Sequence, residues 1–245
     1  MSEVIIGRNA VIEALRGGRE IEKLTIAKGA EGSVKQIVAK AKDRKIPIYY
    51  SDKSRMDKTA SGGTHQGVIA IVSDYEYCTV DDIMALAAER DEKPFVIILD
   101  GLEDPHNLGA IMRTAECAGV HGIIIPKRRS VSVNETVAKT SAGASEYLLC
   151  ARVTTIGREI DRLKEKGLWI GAVDMGDTFY YDQDLTGGIG LVIGGEGSGV
   201  SRLVREKCDF VVSIPMKGRI TSLNASNAAS IMMYEVVRQR LNGWK

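Results

Sequence analysis

The sequence predicts an α/β protein of two units: a small one over residues 1–75, and a larger one over 94–245 built on a mainly parallel sheet. Two observations carry this. From Phe95 onward the runs "FVIILD", "GIIIP", "LWIGAV", "IGLVIGG" and "DFVVSIP" are short, continuous and rich in Val and Ile, the pattern of strands covered on both faces. Between them stand helical stretches, "NLGAIMRTAECAG", "NETVAKTSAGASEYL", "IGREIDRLKEKG" and "SRLVREKC", which supply the crossovers that parallel strands require.

In chain order, "GRNAVIEALRGG" reads as helix, "IEKLTIA" as strand, "SVKQIVAKAKDRK" as helix, and "IPIYY" and "QGVIAIVSD" as strands. Residues 76–93 are charged, hold one short helical pattern and end at Pro94, which marks them as a linker or packing helix before the larger unit.

The 44% hydrophobic content suffices for a sizeable core and argues against disorder. With 33 basic and 32 acidic side chains the formal charge is +1, which excludes a polycationic binder and leaves room for local basic patches. Four cysteines, Cys78, Cys117, Cys150 and Cys208, lie far apart without a C-x-x-C pair, so neither a disulfide framework nor a zinc site is expected. No signal-peptide pattern or membrane-length apolar run is seen, and the expectation is a soluble, cytoplasmic protein.

Three segments carry candidate chemistry. In "DGLEDPHNLGAIMRTAECAG" Asp100 closes a strand and Asn107 can cap a helix whose apolar stripe is Leu108, Ile111, Met112 and Ala115. Arg113 falls off that stripe. It is either a solvated surface charge or a fork that grips phosphate or carboxylate. The second segment, "LVIGGEGSGVS", lacks the Lys-Ser/Thr of a P-loop and the third glycine of a dinucleotide fingerprint. Its glycines allow a tight turn, and they surround Glu196, which could attract a cation or accept a proton.

The third, "IPMKGRITSLNASNAASI", passes from strand end to helix. Ala225, Ala229, Met232 and Val236 follow helical spacing and face a core. Asn224 serves as N-cap, so Ser222, Ser226 and Asn227 exceed what one cap uses, and Lys217 and Arg219 add positive charge. In an open parallel sheet such segments gather beyond the carboxyl ends of the strands, where ligands bind.

In order and separation, "NLGAIMRTA", "IGGEGSGVS" and "IPMKGRITSLNASNAASI" resemble the three motifs of the SpoU/TrmH family of RNA 2′-O-methyltransferases. "GRNAVIEAL" and "THQGVIAIV" resemble the substrate-binding domain of the branch that methylates a guanosine in the peptidyl-transferase loop of bacterial 23S rRNA. The resemblance implies a C-terminal SPOUT domain with a deep trefoil knot, a homodimer, and S-adenosylmethionine as cofactor, with no metal. Carried over position by position, Asn107, Arg113, Glu196, Ser222 and Asn224 form the catalytic set, with Ser226 a further polar candidate. Gly194, Gly195, Ile214, Met216, Ser222 and Leu223 surround the cofactor. S-adenosylmethionine has no phosphate, so main-chain donors and apolar walls suit it.

For RNA binding the candidates are Arg8, Asn9, Thr64, His65 and Gln66 in the small unit, and Lys127, Arg128 and Arg129 after a strand of the larger one. The basic run reads equally as a solvated turn. "TSAGAS" suggests close packing, with a subunit contact as the alternative. Two rival functions compete with the methyltransferase: an RNA-binding protein of the same fold without chemistry, and an α/β enzyme gripping an acidic metabolite through Arg113. The first leaves the joint presence of Arg113, Glu196, Ser222 and Asn224 unexplained, and the second leaves the small unit so.

Overall fold

The predicted strand runs become paired strands in two separate sheets. The structure, a computed structural model, describes residues 3–16, 20–72, 75–197 and 199–242. Two units divide the chain, Met1–Glu76 and Tyr77–Lys245.

The first unit contains β1 (Glu3–Ile6), α1 (Arg8–Arg16), β2 (Ile21–Ala27), α2 (Val34–Asp43), β3 (Ile48–Ser51), α3 (Lys53–Thr59) and β4 (Val68–Val72). Its sheet runs β1-β4-β2-β3, with β2 and β3 parallel and β4 antiparallel to β1 and β2. Val11, Leu24, Ile26, Ile37 and Val68 fill the core. Two of these elements have no counterpart in the sequence reading. β1 is a short edge strand next to the chain start, and α3 buries only Met56, so neither displays a periodic apolar face.

The second unit holds α4 (Val80–Glu89), β5 (Phe95–Asp100), α5 (Pro105–Cys117), β6 (Gly122–Pro126), α6 (Glu135–Thr140), β7 (Leu149–Val153), α7 (Ile156–Glu165), β8 (Trp169–Val173), β9 (Ile189–Gly194), α8 (Arg202–Arg205), β10 (Phe210–Val212) and α9 (Ala225–Asn242). All pairs in the sheet β10-β8-β9-β5-β6-β7 are parallel. The segment expected as a linker is built into this unit. Thr79 and Asp82 form a reciprocal capping box, Val80 and Ile83 join the core of Val96, Ile124 and Ala151, and the Cys78 N–H donates to the Cys150 carbonyl at 3.0 Å.

Three expectations are corrected. The helix over "NETVAKTSAGASEYL" stops at Thr140, because Ala142 and Gly143 take φ of +51° and +90°, and a short 3-10 turn, Ala144–Glu146, follows. "LCARV", not read as extended, forms the edge strand β7. Its lone Arg152 and lack of alternation hid it. Thirdly, the N-cap of α5 is Asp104, whose Oδ1 accepts the His106 N–H at 2.9 Å, with Pro105 in the first turn. The small residues of "TSAGAS" pack within the chain: Ser141 and Ser145 are buried, and a methyl group on Gly109 would lie 2.7 Å from the Thr140 Cβ.

The long helix α9 is moored at its C-terminal end. Gln239 accepts the Leu185 N–H at 2.7 Å and donates to the Gln183 carbonyl at 3.0 Å. Arg240 donates to the carbonyls of Lys93, Pro94 and Gly187 at 2.8–3.1 Å and lies over the Phe95 ring. Beside it, fully buried His121 accepts the Phe95 N–H at Nδ1 and so donates from Nε2 to Glu92. Burial pushes the His121 pKa down, against the attraction of Glu92. Unfolded chains therefore bind a proton near pH 6.5 that the native state takes up only at lower pH. Stability is expected to fall as pH drops below about 6.5. Urea denaturation at pH 7.5 and 5.5 checks this, and His121→Gln should flatten the difference.

Candidate active site

Strands β5, β8, β9 and β10 are neighbours, so the segments leaving their carboxyl ends meet. The glycine-rich turn after β9 is clipped to β5: the Gly195 N–H donates to the Asp100 carbonyl at 2.9 Å, and the Ser201 N–H to Asp100 Oδ2 at 2.8 Å. Gly194 and Gly195 are dictated by contact. A methyl group on the first would collide with the Gly199 carbonyl, and on the second with the Gly101 carbonyl. The turn doubles back at Gly197, where φ is +81°, and exposes Glu196.

A chain of side-chain hydrogen bonds then fixes that carboxylate. It starts at a main-chain donor, which removes any choice of amide orientation. The Ser226 N–H donates to Asn224 Oδ1 at 2.9 Å, and the Ser226 hydroxyl to the same oxygen at 2.6 Å. Asn224 therefore caps α9 with its oxygen and turns Nδ2 the other way, donating to Glu196 Oε1 at 2.9 Å and Asn107 Oδ1 at 3.0 Å. Asn107, third in α5 and 5% exposed, donates from Nδ2 to the same Glu196 oxygen at 2.7 Å. Two amides hold one carboxylate oxygen, leaving the other to receive a proton. The N-terminal ends of α5 and α9 converge here, and both favour negative charge. One further clasp lies along the same faces of these helices, where the Thr114 and Ser230 hydroxyls meet at 3.2 Å.

Against this cluster opens a cavity of about 600 Å³, walled by the residues following β8, β9 and β10 and by Ala225 and Ala228 of α9. Gly194, Gly195, Ile214, Met216, Ser222 and Leu223 all line it, as does Glu196. Among the described residues, no main-chain hydrogen bond uses the N–H groups of Ile214, Met216, Ser222 or Leu223. Arg113 is not part of the cluster. It stands exposed on α5, about 9 Å along the axis from Asn107, and bonds to no described residue. Ser226 supports Asn224, whereas Asn227 is exposed. Sequence reasoning missed Asp174 and Phe179, which also line the cavity. The signal for Asp174 was position, directly after a parallel strand on the ligand side.

In the first unit, Arg8 and Gln66 are joined: Arg8 Nε donates to the Gln66 carbonyl at 3.0 Å, Nη1 to the Ser33 hydroxyl at 3.3 Å, and the Arg8 N–H to Gln66 Oε1 at 3.2 Å. Asn9, Thr64 and Gln66 are exposed around this joint. His65 departs from the expectation of an exposed reader. At 7% exposure it holds the loop from inside, accepting the Gly67 N–H at 2.9 Å and meeting Asp57 at 3.0 Å. Lys127, Arg128 and Arg129 follow β6 at the same sheet end as the cavity, with both arginines exposed and Lys127 tied by its N–H to the Val153 carbonyl. Among the described residues no His/Cys/Asp/Glu group could hold a metal, and no helix is long and apolar enough to cross a membrane.

A parallel sheet with a cofactor-sized cavity at the carboxyl ends of its strands, and a fixed carboxylate on the rim, has the features of a ligand-binding site able to move a proton. Residues 94–234 match the SpoU rRNA methylase family, and residues 4–78 match RNA 2′-O ribose methyltransferase substrate-binding domains. The chain is 48% identical over 240 residues to a Bacillus subtilis (strain 168) protein named "Putative TrmH family tRNA/rRNA methyltransferase YacO", covering 97% of this chain and 96% of that one. Its fold is similar to the SpoU methyltransferase AviRb from Streptomyces viridochromogenes in complex with AdoMet (TM-score 0.64, 26% identity, 99% and 92% of the two chains). It is also similar to the AdoMet-bound rRNA methyltransferase from Sinorhizobium meliloti (TM-score 0.57, 25% identity, 97% and 87%). The chain belongs to the SpoU/TrmH family of S-adenosylmethionine-dependent RNA methyltransferases.

Proposed function

We propose that this protein methylates the 2′-hydroxyl of a guanosine in the peptidyl-transferase loop of 23S rRNA, acting as a cytoplasmic homodimer with a C-terminal trefoil knot. The observation that carries the chemistry is Glu196, held through one oxygen by Asn107 and Asn224 on the rim of the cavity. The cavity fits the cofactor: its volume lies in the usual range for such ligands, its walls offer apolar carbon and main-chain N–H groups, and among the described residues no lysine or arginine lines it. Gly194, Gly195, Ile214, Met216, Ser222 and Leu223, which line the cavity, would hold S-adenosylmethionine, and the cofactor would supply a methyl group on sulfonium. Glu196, held through one oxygen by the two amides, takes the ribose hydroxyl proton on its other oxygen, which makes the hydroxyl nucleophilic.

Arg113 keeps its proton, as guanidinium groups do, and serves by clamping a substrate phosphate and stabilising the developing alkoxide. Its exposed position on α5, without a bond to any described residue, suits contact with a bulky RNA. Ser222, on the cavity wall, orients the ribose. Arg8, Asn9, Thr64 and Gln66 in the first unit, and Lys127, Arg128 and Arg129 in the second, bind RNA, with His65 shaping the first loop from inside. The knot rests on the family resemblance, and exposed Tyr234 and Leu241 on α9 offer apolar surface to a partner copy. The 23S target rests on the likeness of "GRNAVIEAL" and "THQGVIAIV" to that branch.

The test is transfer of labelled methyl to 23S rRNA, and in parallel to tRNA, from cells lacking this protein. A single new site in the peptidyl-transferase loop is expected. Labelling of tRNA alone would replace the target while leaving the chemistry, and absence of labelling with intact cofactor binding would favour the non-catalytic RNA binder.

A further inference from the structure

The cavity described above is lined by two carboxylates, Asp174 and Glu196, and among the described residues by no cationic side chain. Glu196 belongs to the hydrogen-bonded cluster. Asp174 is independent of it. It follows β8 directly, its Oδ1 accepts the Met175 N–H at 2.7 Å, and its side chain is 17% exposed. A methyl group on Gly199 would lie 3.2 Å from Oδ2, so the glycine lets the turn after β9 rest against the carboxylate. Its charge is incompletely matched. Arg205 Nη1 stands 3.5 Å away on a 41% exposed side chain, and the shorter bond of that guanidinium, 2.9 Å, goes to the Met175 carbonyl. An ion pair that long and that wet leaves much of the carboxylate field on the cavity side.

Resting on the methyltransferase reading, we propose that Asp174 is a specificity-determining residue that makes the pocket prefer the cationic methyl donor to its neutral product. S-adenosylmethionine carries a sulfonium charge; once the methyl group has left, S-adenosylhomocysteine holds a neutral thioether on an otherwise identical skeleton. Shape cannot separate two ligands that differ by one methyl group by more than a modest factor, whereas charge can. A fixed carboxylate on the wall favours the donor and, after transfer, no longer holds the product. Donor loading and product release are thus both served by one side chain.

The test is calorimetric titration of the intact protein with each ligand. Asp174→Asn preserves size and the Oδ1 acceptor for Met175 while removing the charge. It is expected to weaken S-adenosylmethionine about three- to tenfold and to leave S-adenosylhomocysteine within about twofold. Arg205→Gln, which removes the partial neutraliser, should move the ratio the opposite way, and it keeps the question open to measurement if Asp174→Asn folds poorly. Equal weakening of both ligands in Asp174→Asn would overturn the proposal in favour of ribose recognition, a group the two share. An unchanged ratio in both variants would also overturn it. Failure of the unaltered protein to bind either ligand would instead sink the methyltransferase reading beneath it.

Discussion

Asn224→Ala is expected to lower methyl transfer about 100-fold or more and to lower stability by about 1 kcal/mol, because one side chain does two jobs. Its oxygen caps α9 by accepting from Ser226, and its nitrogen holds Glu196 and Asn107. Removing the amide frees the carboxylate to rotate away from the reacting hydroxyl. The two effects separate in Asn224→Ser, which restores a capping oxygen without the Nδ2 donor. Thermal stability should return in that variant while single-turnover rates stay low. A serine variant with the unaltered rate would mean that the amide link to Glu196 is only structural.

Arg113→Ala is expected to reduce turnover about 1,000-fold, within the range for loss of a donor to developing negative charge, with cofactor affinity changed less than about twofold. The geometry makes this division sharp. Arg113 is exposed, bonds to no described residue and does not line the cavity, so its loss should leave the fold within about 0.5 kcal/mol. Arg113→Lys keeps the charge and loses the planar fork, and partial recovery at best is expected. Calorimetry with S-adenosylmethionine beside single-turnover kinetics on RNA reads both quantities. A large loss of cofactor binding would contradict the assignment of Arg113 to the RNA side of the reaction.

How much of this was legible beforehand depended on the kind of signal. β5 and β6 were read to the residue, since five consecutive apolar side chains in the first and three consecutive isoleucines in the second, bounded by Pro94, Asp100 and Pro126, admit few alternatives. β7 was lost because "LCARV" follows small residues that continue a helical pattern until two positive φ values break it. Such angles at Ala142 are set by tertiary packing and leave no mark in composition. The cap of α5 was misassigned to Asn107 because Asp104 and Asn107 are both good capping residues three positions apart. That error concealed the more useful fact that Asn107, freed from capping, points at Glu196.

At the site itself, the surplus of polar residues around Asn224 was visible, and it signalled a partner. Which partner was not, because Asn107, Glu196 and Asn224 are separated by 89 and 28 positions and only the sheet order brings them together. The reverse holds for His65. Its polarity invited a role in binding, but burial and two internal hydrogen bonds commit it to shaping its own loop. Asp174 was passed over since it stands in no motif, although its place after a strand obeyed the same rule as the three segments that were chosen.

Glu196, aimed by two asparagine amides beside the cavity, is expected to take the proton of a ribose hydroxyl during methyl transfer. Nucleoside analysis by mass spectrometry of 23S rRNA methylated in vitro by the unaltered protein and by Glu196→Gln tests it most directly. The expected result is a 2′-O-methylated guanosine with the former and a yield lower by about 100-fold with the latter, cofactor binding being retained. A methyl group on a base, or an undiminished yield of 2′-O-methylguanosine from Glu196→Gln, would contradict it.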